Sequence, residues 1–147
     1  MSFTESLAIK ETPEAHLERG NAYKNLRQGG KAVADWNQAI QLDANDTAAY
    51  TARGTFYQAS GDTAKALADL EQSLRLTPTV DGFFQRGQLY ATLGQYDKAL
   101  RDYDQAIAER RDAPYVYLAR SAAKKALGDE EGSQRDAARA AELQHSK

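Results

Sequence analysis

The sequence predicts an all-α fold of tandem antiparallel helix pairs, about eight helices in all. Three observations predict it. The first is a segment that recurs: Glu18-Arg19-Gly20-Asn21-Ala22-Tyr23, Ala52-Arg53-Gly54-Thr55-Phe56-Tyr57 and Gln85-Arg86-Gly87-Gln88-Leu89-Tyr90, with glycines 34 and 33 residues apart. A looser fourth copy, Ala119-Arg120-Ser121-Ala122-Ala123-Lys124, follows after a further 34. The second is a partner segment 12 residues after each of these, starting at Ala32, Ala66, Ala99 and Ser133. The third is a set of turn residues between the segments, such as Ser60-Gly61-Asp62, Leu93-Gly94-Gln95 and Leu127-Gly128-Asp129.

The partner segments put Ala32, Trp36 and Ala39 at spacings of four and three, which is one face of a helix. Small residues flanking a large one make a socket for a neighbouring element. A mid-helix Gly costs about 1 kcal/mol relative to Ala. Close helix–helix approach at Gly20, Gly54 and Gly87 offsets that cost. These residues read as a packing face rather than a cofactor site.

Taken in order, residues 1–12 are a lead-in. Thr12 caps a helix that opens at Pro13 and runs to about Arg27. Gln28-Gly29-Gly30 is the turn, and the second helix runs to about Leu42. Asp43-Ala44-Asn45-Asp46 separates the repeats, with Asp46 capping the next helix. The second repeat ends at Thr77-Pro78-Thr79, where its one-residue deletion falls. The third ends near Arg111-Asp112, and the fourth opens with Asp112 as cap and Pro114 in the first turn. The domain boundaries are therefore 13–46, 47–79, 80–113 and 114–147. The last helix, about Glu130–Gln144, is Ala-rich and weakly apolar, as a terminal cap of a repeat array must be.

This pattern resembles the tetratricopeptide repeat, with a Gly and Tyr on the first helix and Ala, aromatic, Ala on the second. The resemblance covers roughly residues 13–143. Only Pro78 stands at the repeat-end proline position, and the fourth copy has Ser121, Lys124, Ser133 and Ala137 in the Gly, Tyr, Ala and aromatic columns. The resemblance implies an α-α superhelix in which the first helices line a concave groove. It also implies work as a protein-binding adaptor rather than an enzyme.

Two columns are more specific than the general pattern. An Arg precedes each Gly or Ser (Arg19, Arg53, Arg86, Arg120), and an Asp precedes each aromatic or its substitute (Asp35, Asp69, Asp102, Asp136). Arg suits a fixed, partly buried carboxylate because its fork donates twice. Arg–Asp pairs bridging the two helices, within a repeat or between neighbours, are the expectation. An anion-binding ladder is the weaker reading, since four aspartates match the four arginines.

The groove expected from the resemblance is lined by Asn21, Lys24, Thr51, Thr55, Gln58, Phe84, Gln85, Gln88, Tyr115 and Leu118. Amides and hydroxyls suit a peptide backbone, and Phe84, Tyr115 and Leu118 form an apolar anchor point. The carboxylate clamp by which some members of this family hold acidic chaperone tails would fall on Leu17, Asn21, Ala52, Asp81 and Gln85. Only Asn21 has the required type, so such tails are not expected partners.

Composition narrows the function classes further. Net charge is −2, and the segments 1–46, 47–106 and 107–147 carry 5, 6 and 8 basic against 7, 7 and 7 acidic residues, so no basic half exists to grip phosphates. Nucleic acid is not an expected partner. Cysteine is absent, which excludes a disulfide framework or thiolate metal site. His16 and His145 lie at opposite ends, and no nucleophile set, metal spacing or phosphate loop is present, so neither catalysis nor a cofactor is expected. Met1–Ala8 lacks the basic start and long apolar run of a secretory signal, and no window approaches a membrane span. The expected compartment is the cytoplasm and no membrane partner is expected. Self-assembly through the last helix or the first repeat is the alternative to the adaptor role.

Overall fold

The structure is a computed structural model that describes residues 11–146, so most of the lead-in and Lys147 lie outside the described residues. Among these residues there are eight helices and no strand. They are α1 (Pro13–Asn25), α2 (Gly29–Leu42), α3 (Thr47–Ala59), α4 (Thr63–Leu76), α5 (Val80–Thr92), α6 (Tyr96–Glu109), α7 (Pro114–Ala126) and α8 (Glu130–His145). The chain divides into two compact units, Met1–Thr77 and Pro78–Lys147. In the first, α1 pairs with α2, α3 with α4, and α2 packs on α3; in the second, α5 pairs with α6, α7 with α8, and α6 packs on α7.

The helices begin where side chains answer their unpaired backbone donors. Thr12 accepts from Ala15 N at 3.1 Å, Asp46 from Ala49 N at 3.2 Å and Thr79 from Gly82 N at 2.9 Å. Asp62 and Asp129 cap α4 and α8 in the same way. The cap of α7 differs from the sequence expectation. Its N-cap residue is Ala113, with no side-chain bond, and Asp112 instead pairs with Arg110 at 3.2 Å. Ala113 is fully buried in the unit's core, so packing rather than a polar cap fixes this end.

The turn of the first repeat also differs. Gly29 and Gly30 are the first two residues of α2, not the turn. The left-handed turn residue is Arg27, with φ +60°, where the other repeats have Gly61, Gly94 and Gly128 at +83°, +76° and +86°. Gly29 is needed for space: a Cβ there would lie 2.5 Å from Phe56 Cζ.

Close approach explains the repeated mid-helix glycines. A Cβ on Gly20 would meet Trp36 Nε1 at 2.7 Å, and one on Gly87 would meet Tyr103 Cε1 at 2.5 Å. The aromatic of the second helix therefore fills the notch that Gly leaves in the first. In the first unit Ala32, Trp36 and Ala39 of α2 and Ala66 and Leu70 of α4 are buried. In the second unit Ala99, Tyr103, Ala106, Ala113, Val116 and Ala123 form one cluster, with Phe83, Phe84, Leu100 and Ile107 packed against it. The polar variant of the socket occurs in the last pair, where Ser121 Oγ donates to Ser133 O at 2.8 Å.

Candidate functional site

The helix pairs are tied by a ladder of guanidinium–carboxylate pairs, each between residues 16 apart in the chain. Arg19 Nε and Nη2 donate to Asp35 at 2.7 and 2.6 Å. Arg53 reaches Asp69 at 2.9 and 2.7 Å, Arg86 reaches Asp102 at 2.9 and 2.8 Å, and Arg120 reaches Asp136 at 2.8 and 2.8 Å. All four carboxylates are buried. Each pair lies within one repeat. In two copies the Arg also reaches the preceding helix pair: Arg53 Nη1 donates to Asn37 at 2.6 Å and Arg120 Nη1 to Asp104 at 2.9 Å. Hydrogen bonding to Asp35 and Asp69 raises the Arg19 and Arg53 pKa values despite burial, which opposes it. These arginines are committed to the scaffold, which leaves little for an anion.

Two further features belong to this ladder and were not singled out from the sequence. The repeat tyrosines stack under lysines of the second helix: Lys31 over Tyr23 at 5.6 Å, Lys65 over Tyr57 at 5.3 Å and Lys98 over Tyr90 at 5.5 Å. The signal was available, since each Lys stands 11 residues after its Gly. In the fourth repeat the Tyr becomes Lys124, which pairs with Asp136 at 3.0 Å, and the lysine column becomes Gly132. The second feature is His16. It is buried, and its Nδ1 lies 3.1 Å from Asp35 Oδ1 in the column that holds Tyr50, Phe83 and Tyr117 elsewhere.

The residues assigned to the groove divide by unit. On α1 and α3, Lys24 and Thr55 are exposed and Gln58 is half-buried. Asn21 accepts from Trp36 Nε1 at 3.1 Å, and Thr51 Oγ1 bonds Thr47 O at 2.9 Å and Ser73 Oγ at 2.8 Å. Asn21 Oδ1 and Thr51 Oγ1 therefore already serve packing. On α5 and α7, Phe84 is half-buried against Tyr103 and against Tyr115, whose ring meets it edge-on at 4.9 Å. Tyr115 and Leu118 are 37% and 47% exposed. Tyr115 Oη reaches Asp81 at 3.4 Å. Gln85 is half-buried and Gln88 exposed. A cleft of about 360 Å³ opens beside them, lined by Gln88, Ala91, Thr92, Tyr96 and Tyr103 with the alanines of α7. Its lining carries no charged side chain, so it suits an uncharged group.

Among the described residues no cluster of His, Asp or Glu is arranged to hold a metal, and no helix is long and apolar enough to cross a membrane.

Comparison with known proteins places this geometry. The chain is 28% identical over 95 residues to Hsp70-Hsp90 organizing protein 3 of Arabidopsis thaliana, covering 64% of this chain and 17% of that protein. It is 30% identical over 95 residues to DnaJ homolog subfamily C member 3 of Gallus gallus, covering 65% and 19%. The chain thus spans less than a fifth of the length of these relatives. A crystal structure of MamA superposes with a TM-score of 0.90 at 19% identity, over 98% of this chain and 85% of that one, and so shares the fold. Family profiles described as tetratricopeptide repeat match residues 13–46, 47–80 and 80–112. With those three successive matches on helix pairs of one design, the chain belongs to the tetratricopeptide repeat family.

Proposed function

We propose that the chain is a non-enzymatic adaptor whose first-helix faces hold a segment of another protein. The observation that carries this reading is the uncharged cleft of the second unit. It has about 360 Å³ of space, neighbouring amides on Gln85 and Gln88, and Leu118 exposed on the same helix as its alanines. Exposed apolar side chains grouped beside a cleft act as interface anchors. The amides supply both donors and acceptors for a peptide backbone.

The balanced charge and the commitment of all four ladder arginines to carboxylates argue against nucleic acid. A protein of this kind works without cofactor, and the cytoplasm is the compartment we assign to it. Chaperone tails ending in acidic residues are not its ligands, because the clamp positions hold Leu17, Ala52 and Asp81. Even Asn21, the one matching residue, has its oxygen engaged by Trp36.

The test is selection from a displayed library of random peptides, followed by titration of the enriched sequences. The expected result is binding that weakens tenfold or more, about 1.4 kcal/mol, on Leu118→Asp or Gln88→Glu. Both positions are exposed, so the fold is retained. Enriched peptides that bind both variants unchanged would remove the cleft from the reading.

A further inference from the structure

The arginine ladder carries an unequal feature. Arg53 and Arg120 spend their third donor, Nη1, on Asn37 of α2 and Asp104 of α6, each from the preceding helix pair. Arg19 makes the same two bonds to its own aspartate, but its Nη1 has no hydrogen-bond partner among the described residues. Beside it, Arg19, Ala22, Tyr23 and Leu26 line a pocket of about 230 Å³, and Leu26 is 64% exposed. Ala15, Arg19 and Ala22 of α1 and its C-cap residue Leu26 follow one another at spacings of four, three and four, which is one stripe of a helix. This stripe is distinct from the positions assigned to peptide binding.

The interior of each unit shows what fits such a stripe. The covering helix places its oxygen at Asn37 or Asp104, and an aliphatic residue stands four positions earlier, at Val33 or Leu100. Leu100 packs against the cluster that contains Ala123, the α7 residue in the Ala22 column. We propose that the α1 face docks an α-helix of another protein carrying Leu, Ile or Val four residues before an Asp or Asn. The carboxylate or amide oxygen answers Arg19 Nη1, and the aliphatic side chain fills the pocket beside Leu26. A charge-assisted bond of this kind is directional and strong, which fixes the register of the incoming helix. A second copy of this chain is a poor occupant, because α8 offers Gln134 and Ala138 in the two columns. In the chain's own lead-in the residue 16 positions before Arg19, as Asp104 stands before Arg120, is Phe3, which has no side-chain oxygen.

The experiment uses the full chain with labelled Ala and Leu methyl groups. The probe is a hydrocarbon-stapled helix copying the 14 residues Tyr96–Glu109, blocked at both ends. It is expected to shift Ala15, Ala22 and Leu26 and to weaken about fivefold or more when its Asp104 or its Leu100 is replaced by Ala. The exposed Leu26→Glu variant is expected to abolish the shifts at unchanged helix content. Three results would overturn the proposal. One is no shift at Ala22 and Leu26 up to millimolar probe. Another is equal affinity for the probe lacking the carboxylate. The third is binding only to a chain shortened by residues 1–10, which would assign the face to the lead-in.

Discussion

Arg27 holds the left-handed turn that Gly61, Gly94 and Gly128 hold in the other repeats. A side chain in that region costs roughly 1–2 kcal/mol, because Cβ crowds the following carbonyl. Arg27 is exposed and forms no side-chain hydrogen bond or ion pair among the described residues that would offset the cost. Arg27→Gly is expected to stabilise the protein by about 0.5–1 kcal/mol, since glycine's larger unfolded-state entropy offsets part of the relief. Urea denaturation checks it, and a fall in the midpoint would contradict the strain argument. Asp136 gives a prediction with a pH sign. Burial alone would raise its pKa, but hydrogen bonds and charge from Arg120 and Lys124 outweigh that and hold it below the ordinary carboxylate value. A depressed folded pKa means the stabilisation is present above the unfolded value and lost as pH falls through the folded one. Lys124→Met should therefore cost about 1–2 kcal/mol at neutral pH and progressively less at acid pH, as Asp136 takes up its proton. An equal loss at neutral and acid pH would mean that Lys124 acts by packing its stem instead.

At the scale of the element, the second helices of the four repeats share one entry geometry and differ only in its chemistry. Their N-cap residues are Gln28, Asp62, Gln95 and Asp129. Gln95 has φ −92° and ψ 67°, close to Asp62 at −89° and 78° and Asp129 at −87° and 79°. The aspartates accept a backbone N–H and the glutamines do not, because the longer side chain overshoots the first turn. Gln95→Asp places a short carboxylate on a backbone already set for it, at the positive end of α6. A gain of about 0.5–1.5 kcal/mol in denaturant unfolding is expected, with loss of the gain when Ala replaces Gln95 instead. The same elements show what a sequence reveals. The Gly, Ala, aromatic, Arg and Asp columns were legible because packing at a notch and a forked ion pair each demand one residue type, and the chain repeats that demand. The Tyr–Lys stacks were missed although equally periodic, because a lysine on an exposed face reads as solvated. The Gly29-Gly30 pair drew the turn two residues too late, since glycine serves space at one site and backbone sign at another. Asn21 and Thr51 fall on the expected groove by spacing, yet their reach to Trp36 and Ser73 depends on rotamers that no spacing encodes.

At the scale of the molecule, the outward faces of the second helices differ between repeats. The α6 helix shows the face that invites a following helix pair: Leu100 and Ile107 pack against the cluster shared with α7. The α8 helix has Gln134 and Ala141 in those columns, both exposed, and Ala137 where α6 carries the Tyr103 ring. Its inner face is complete, with Ser133, Asp136 and Ala140 buried. The α8 helix thus carries a repeat-helix face on one side and a polar face on the other. Reversing the outer face tests this. Gln134→Leu with Ala141→Ile rebuilds the α6 pattern on a face that no helix covers among the described residues and leaves the Arg120–Asp136 pair untouched. Each added aliphatic side chain brings roughly 1.5–3 kcal/mol of burial to any contact that covers it. The double variant is expected to keep its helix content while its apparent mass by light scattering rises with concentration above that of the parent. If the masses stay equal across the series, the polar outer face of α8 is not what limits association through this end, and the self-assembly reading gains no support from it.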